Sequence, residues 1–191
     1  MQGVQGRQRR MYVSVLALIG ALVLASSLVY EQRATASSTR GATVALIAPA
    51  HARAGTLISV DLVAHNVRNL AGYQATVEFN RDQVRLVGAS IADDLRGSGR
   101  DFLPLGPLQR EGAVVLGAAS CPAQVCSDPR PTHARRVERG IDGRVKLGTV
   151  RLYVGTPGAY PLTLADVRLV DPQGQALPVT ASAIVLNVSD T

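Results

Sequence analysis

The chain has 191 residues, 47% of them hydrophobic, 18% charged and 4% aromatic, with no tryptophan. That balance excludes a disordered or fibrous protein, and two cysteines are too few for a disulfide-packed mini-protein or a four-cysteine zinc site. The net charge of +6 belongs mainly to residues 1–40, where Arg7, Arg9, Arg10, Arg33 and Arg40 face only Glu31, leaving +2 for residues 41–191. A nucleic-acid-binding domain carries its excess charge on the folded part, as a stripe matching the phosphates. No nucleic-acid partner is expected.

Residues 1–10 read as a basic cytoplasmic tail. Residues 11–30, MYVSVLALIGALVLASSLVY, are 20 in a row without a charge. As a helix rising 1.5 Å per residue they would cover about 30 Å, the thickness of a bilayer's hydrocarbon core. The arginines before them stay inside by the positive-inside rule, which places the rest of the chain outside the cell membrane. The run is longer than the apolar core of a cleaved signal peptide, so a single-pass signal anchor is favoured. Cleavage after Ala34-Thr35-Ala36, with secretion of the remainder, is the alternative. Residues 31–41, EQRATASSTRG, form a short polar linker.

The exported domain, residues 42–191, alternates rather than repeating at helical spacing. An opening strand is predicted over 43–47. Over 57–65, LISVDLVAH places Ile58, Val60, Leu62 and Ala64 on one side; over 73–79, YQATVEF does the same for Tyr73, Ala75, Val77 and Phe79. A period of two marks half-buried strands. The turn-forming stretch 66–72 between them predicts an antiparallel pair in one sheet. Further strands are predicted over 84–87, 113–118, 145–154, 160–170 and 184–188. In the 145–154 run Val145 and Leu147 share one parity and Val150, Leu152 and Val154 the other, which predicts a β-bulge at Gly148. Pro161 predicts a first or edge position, and Asp171-Pro-Gln-Gly174 a turn. Strands this short and numerous bury one face each by packing two sheets. The expected fold is all-β, a two-sheet β-sandwich of about nine strands with jelly-roll connections, preceded by one N-terminal transmembrane helix. Two long interruptions remain, 91–111, with Phe102 and Leu103 as expected core anchors, and 120–142.

The stretch AGTLISVDLVAHNVRNLAGYQATVEFNRDQVRLVGAS, residues 54–90, resembles the opening half of a cohesin domain, through the Asn66-Val67…Leu70-Ala71-Gly72 turn, the alternating strand after it and Arg85-Leu86-Val87. LGTVRLYV (147–154), GAYPLTLADVRLVDPQGQALPV (158–179) and the strand over 184–188 are similar to the family's second half. Phe79-Asn80 replaces the usual aromatic-Asp pair, and the cysteine-bearing loop is a departure. The resemblance implies a nine-stranded jelly-roll sandwich without catalytic activity. It also implies an extracytoplasmic recognition role, since many cohesins bind calcium-loaded dockerin modules through a sheet face. Direct carbohydrate binding, linked to polysaccharide processing, and a structural role in the envelope are the alternatives.

Individual residues add little chemistry. Cys121 and Cys126, four residues apart in an exported chain, predict a disulfide that staples their loop. Asp93, Asp94 and Asp101 are read as a solvated loop pairing with Arg96 and Arg100; calcium needs six to eight oxygen ligands, and no metal or other cofactor is expected. His51, His65 and His133 form no ligand set, and there is no nucleophile elbow or phosphate loop. The chain is not expected to be an enzyme. Tyr73 and Phe79 are assigned to the core. Thr149, Arg151 and Tyr153 have the opposite parity to Val150, Leu152 and Val154, and are the candidate binding residues on an outward sheet face.

The topology is directly testable. Full-length protein is expected to stay with membranes through a carbonate wash, while external protease removes residues 41–191. Recovery of a soluble chain beginning at Ser37 would establish cleavage instead.

Overall fold

The computed structural model describes residues 41–121 and 139–190. The predicted anchor, the linker and Cys126 lie outside them. Among the described residues no helix is long and apolar enough to cross a membrane. The architecture is all-β, two sheets packed face to face. The described residues form twelve strands, against about nine expected.

One sheet has five strands in the order β11-β1-β3-β9-β5: Val179–Ser182, Ala42–Ile47, Thr56–Leu70, Ile141–Val154 and Arg85–Ile91. The other has seven. Its order is β2 (Ala52–Arg53), β12 (Ile184–Ser189), β10 (Gly158–Val170), β4 (Gly72–Phe79), β8 (Ala113–Cys121) and β6 (Asp101–Pro104), with β7 (Leu108–Arg110) also on β8. β1 with β11 and β12 with β2 run parallel, and the remaining pairs are antiparallel. The strands with no predicted counterpart are β2, β6, β7 and β11, of two to four residues each.

The alternation read from the sequence is the core. Ile58, Val60, Leu62 and Ala64 of β3 meet Tyr73, Ala75 and Val77 of β4 and Val114, Leu116 and Ala118 of β8 in one buried cluster. Phe79 is half-buried against it. The sheet assignment differs from expectation at one place. β3 and β4 are not neighbours; they belong to opposite sheets, and the chain crosses between them at Ala71. Asn66 and Asn69, read as turn residues, instead sit inside β3 at positive φ (55° and 57°). Each marks a slip in register against β9. Asparagine tolerates the left-handed region for the same reason in a bulge as in a turn, so the composition did not separate the two.

The bulge expected in β9 is present. Leu62 faces Gly148 and Val63 faces Lys146, leaving Leu147 as the extra residue. Val145, Leu147, Val150, Leu152 and Val154 are all fully buried as a result. A Cβ at Gly148 would stand 2.7 Å from the Ser90 carbonyl oxygen and 3.1 Å from a Leu116 methyl. The bulged carbonyl of Leu147 accepts the Ala92 N–H at 2.9 Å and, from the opposite sheet, the buried Tyr73 hydroxyl. Burial, with Asp94 nearby, holds the Tyr73 phenol above its ordinary range, so it stays a donor. Outside the sandwich, Asp61 spans the same bulge. Its Oδ1 accepts the Thr149 hydroxyl at 2.7 Å and lies 2.9 Å from Lys146 Nζ.

Elsewhere, Asp171-Pro-Gln-Gly174 is a turn closed by Gly174 N–H to Asp171 O at 2.9 Å. Pro161 lies in interior strand β10 rather than first or at an edge, one residue before the β4 ladder begins at Leu162 and Phe79. The 91–111 interruption holds a 3-10 helix, Asp94–Ser98, as well as β6 and β7. Its deepest anchor is Leu95, 1% exposed. Phe102 packs against the core while Leu103 is 44% exposed, because adjacent strand residues face opposite ways. Arg100 is buried, donating to the Ser120 hydroxyl and carbonyl at 3.1 and 3.0 Å, and Ser120 Oγ donates to Ala71 O at 3.0 Å.

Two stability outcomes follow from the bulge. Tyr73→Phe should lose about 1 kcal/mol in urea unfolding, the net value of one buried hydrogen bond, and Gly148→Ala about 1–3 kcal/mol through overpacking. Burial raises the Asp61 pKa, but hydrogen bonds from Lys146 and Thr149 and the charges of Lys146 and Arg144 outweigh it, and the folded value is lowered. A depressed carboxylate stabilises fully above its unfolded pKa, about 3.9, and loses that contribution as pH falls through the folded value. Asp61→Asn should therefore cost at most about 1 kcal/mol at neutral pH, as fits a half-exposed pair. The gap to wild type should close below about pH 4.

Candidate functional site

Thr149, Arg151 and Tyr153 do share the outward side of β9, but the structure uses them differently. Thr149 is committed to Asp61. Arg151 is exposed and lies across Gly88 of β5, its Nη2 3.0 Å from where a Cβ would stand. Tyr153 is half-buried beneath Arg85, whose guanidinium carbon is 5.0 Å from the ring centroid. Leu57, opposite Tyr153 on β3, is 60% exposed. Arg85 and Arg151 have no carboxylate within ion-pair distance among the described residues. Tyr153 also forms one wall of an open depression of about 400 Å³ at the end of the strands, together with Arg81, Asp82, Thr156 and Tyr160.

The acidic loop disperses its carboxylates. Asp93 is 4.0 Å from Arg96, whereas Asp94 Oδ2 accepts the Lys146 backbone N–H at 2.7 Å. Arg96 also lies over the Phe102 ring at 4.7 Å. No group of three or more histidine, cysteine or acidic side chains converges as metal ligands among the described residues. Cys121, the last residue of β8, is disulfide-bonded. Its predicted partner Cys126 lies outside the described residues.

The surface that sequence reasoning missed is the outer face of the second sheet. Its centre is low. Half-buried Ala113, Val115 and Ala119 and buried Gly117 of β8 alternate with the core-facing Val114, Leu116 and Ala118, and buried Thr76 and exposed Gln74 of β4 stand opposite Val115 and Gly117. Paired residues share a face, so Leu103, opposite Ala119, and Leu108, opposite Val115, project outward. With Leu105, whose N–H donates to Gly117 O at 2.8 Å, they are 44%, 52% and 61% exposed. Three exposed leucines thus border a strip of small residues. Single exposed leucines are ordinary; a cluster beside a flat face is not. The signal was faint in the sequence because β6 and β7 are too short to show a period.

No family model and no curated protein matches the chain. Solved structures do. A non-cellulosomal cohesin from the archaeon Archaeoglobus fulgidus aligns with 78% of this chain and 91% of its own at 15% identity and a TM-score of 0.57. The cohesin module of a Clostridium perfringens family 33 glycoside hydrolase aligns over 79% of this chain and 98% of its own, at 12% identity and a TM-score of 0.59. A cohesin solved in a type I cohesin–dockerin complex from Clostridium thermocellum aligns over 78% and 94% at 9% identity and a TM-score of 0.57. At these identities the similarity is one of fold: the described residues, 41–121 and 139–190, have the β-sandwich architecture found in cohesin modules.

Proposed function

We propose that the chain is a non-catalytic, extracytoplasmic protein-recognition module that binds a partner of the dockerin kind through the outer face of its second sheet. The observation that carries this reading is the pairing of a flat strip, Ala113 to Ala119, with exposed Leu103, Leu105 and Leu108. Small residues let a partner's backbone approach, and bordering leucines supply apolar area that is released from water on docking. The first sheet's outer face supports a second reading. There Arg151 is exposed and Arg85 covers Tyr153, leaving two guanidinium groups beside the exposed Leu57.

A crystalline polysaccharide fits less well. It calls for a row of exposed rings, whereas Tyr73 and Tyr160 are buried and Phe79 and Phe102 pack on the core. The same reading includes jelly-roll connections, membrane attachment through residues 11–30 or secretion after Ala36, and a Cys121–Cys126 bridge at the root of the 120–142 segment.

Full-length protein in detergent should bind at least one of a panel of calcium-loaded dockerin modules, with binding lost in EDTA. Leu105→Asp and Leu108→Asp should each weaken it about tenfold or more, the behaviour of central interface anchors. Circular dichroism should not change, since both side chains are exposed. Loss on Arg151→Ala with no effect of the leucine variants would move the interface to the first sheet. No binding across the panel would overturn the dockerin reading.

A further inference from the structure

The depression beside Tyr153 belongs to neither sheet face. Its floor and walls come from three places in the chain. The turn before β5 contributes Arg81 and Asp82, β5 begins with Arg85, and the chain from β9 to β10 brings Tyr153 from the end of β9, Thr156 from the link and Tyr160 from the start of β10. The turn is fixed by its own backbone: the Gln83 and Val84 N–H groups donate to Asn80 O at 3.1 and 2.9 Å, and the Asp82 N–H to Asn80 Oδ1 at 2.9 Å. The opposite wall is equally held, since the Tyr160 hydroxyl donates to Thr156 O at 2.8 Å. The site is therefore formed before any ligand arrives, and about 400 Å³ lies in the usual range for small-molecule pockets.

Its chemistry is mixed in a specific way. Arg81 is already neutralised by Glu111 and lies 3.8 Å from Asp82. Arg85 has no such partner among the described residues; its guanidinium carbon lies 5.0 Å from the Tyr153 ring centroid, a cation–π contact that leaves its N–H donors for a carboxylate. Beside it are an exposed carboxylate, Asp82, and the Thr156 hydroxyl. An acidic peptide presents several carboxylates, and Asp82 beside Arg85 repels those beyond the first. A sugar acid presents one, together with hydroxyls that donate to Asp82.

We propose that this depression binds one carboxylate-bearing sugar, a hexuronate unit of an acidic glycan, with Arg85, seated on Tyr153, on the carboxylate and Asp82 and Thr156 on ring hydroxyls. The site needs no strip of aromatic rings, because it holds a single residue end-on rather than a crystalline surface. It stands apart from the interface proposed on the second sheet, and either can fail without the other.

The test compares two probes that differ only in the carboxylate. Methyl glucuronide and methyl glucoside are titrated into ¹⁵N-labelled full-length protein in detergent. The glucuronide should shift amides of residues 81–85 and 153–156 and bind at least about tenfold more tightly than the glucoside, the value of one charge-assisted hydrogen-bonded pair. Arg85→Gln should remove that preference, and Tyr153→Phe, which keeps the ring, should retain it. Equal affinity for the two sugars, absence of shifts with either, or tighter binding of an acetylated triglutamate amide than of the glucuronide would each overturn the proposal.

Discussion

The constraint on which the packing of β9 depends is its bulge, whose Leu147 carbonyl accepts both the Ala92 N–H and, from the opposite sheet, the Tyr73 hydroxyl. A bulge turns a strand's backbone out of its ladder and leaves a polar group to be satisfied. Here that group faces the interior, and the opposite sheet supplies a phenol for it. The same bulge brings Leu147 and Val150 to the core side, though their positions in the chain have opposite parity. Remove the bulge and one half of β9 turns its apolar residues to water. Asp61 ties the outer side of the irregularity, so β9, an interior strand of the first sheet, is held at its bulge from within and from without.

That arrangement separates structural from available polar groups. Thr149 and Lys146 are occupied with Asp61, and Tyr73 with Leu147. What remains for recognition lies away from the bulge, on the leucine-bordered face of the second sheet and at the strand ends around Arg85. Both surfaces sit on strands whose inner residues are locked in the core, which is a rigid base for either kind of ligand.

The strands readable in the sequence were the longer ones: β1, β3, β4, β5, β8, β9, β10 and β12. The bulge in β9 was readable too, because a change of parity within one apolar run has few other physical meanings. Strands β2, β6, β7 and β11 were not, since two to four residues carry no period and form only because a longer neighbour offers them a ladder. Asn66 and Asn69 show a different limit. Their tolerance of positive φ was legible, but whether it serves a turn or a bulge is decided by pairing with β9, some 75 residues away. For the site, parity placed Arg151 correctly outward; that Thr149 would be consumed by Asp61, or that Arg85 would cover Tyr153, depends on register between strands distant in sequence. Burial of Arg100 had no local signal at all.

The sheet margins carry a consequence for how such modules are used. The first sheet ends in four-residue β11 and in β5, broken by a register slip between Leu86 and Gly88. The second ends in two-residue β2 and in the split pair β6 and β7. None presents a long, flat row of free amides and carbonyls to a neighbour, the feature through which β-proteins fuse edge to edge into aggregates. Copies of this domain can therefore be crowded on a surface, or strung in tandem, and still remain separate folded units.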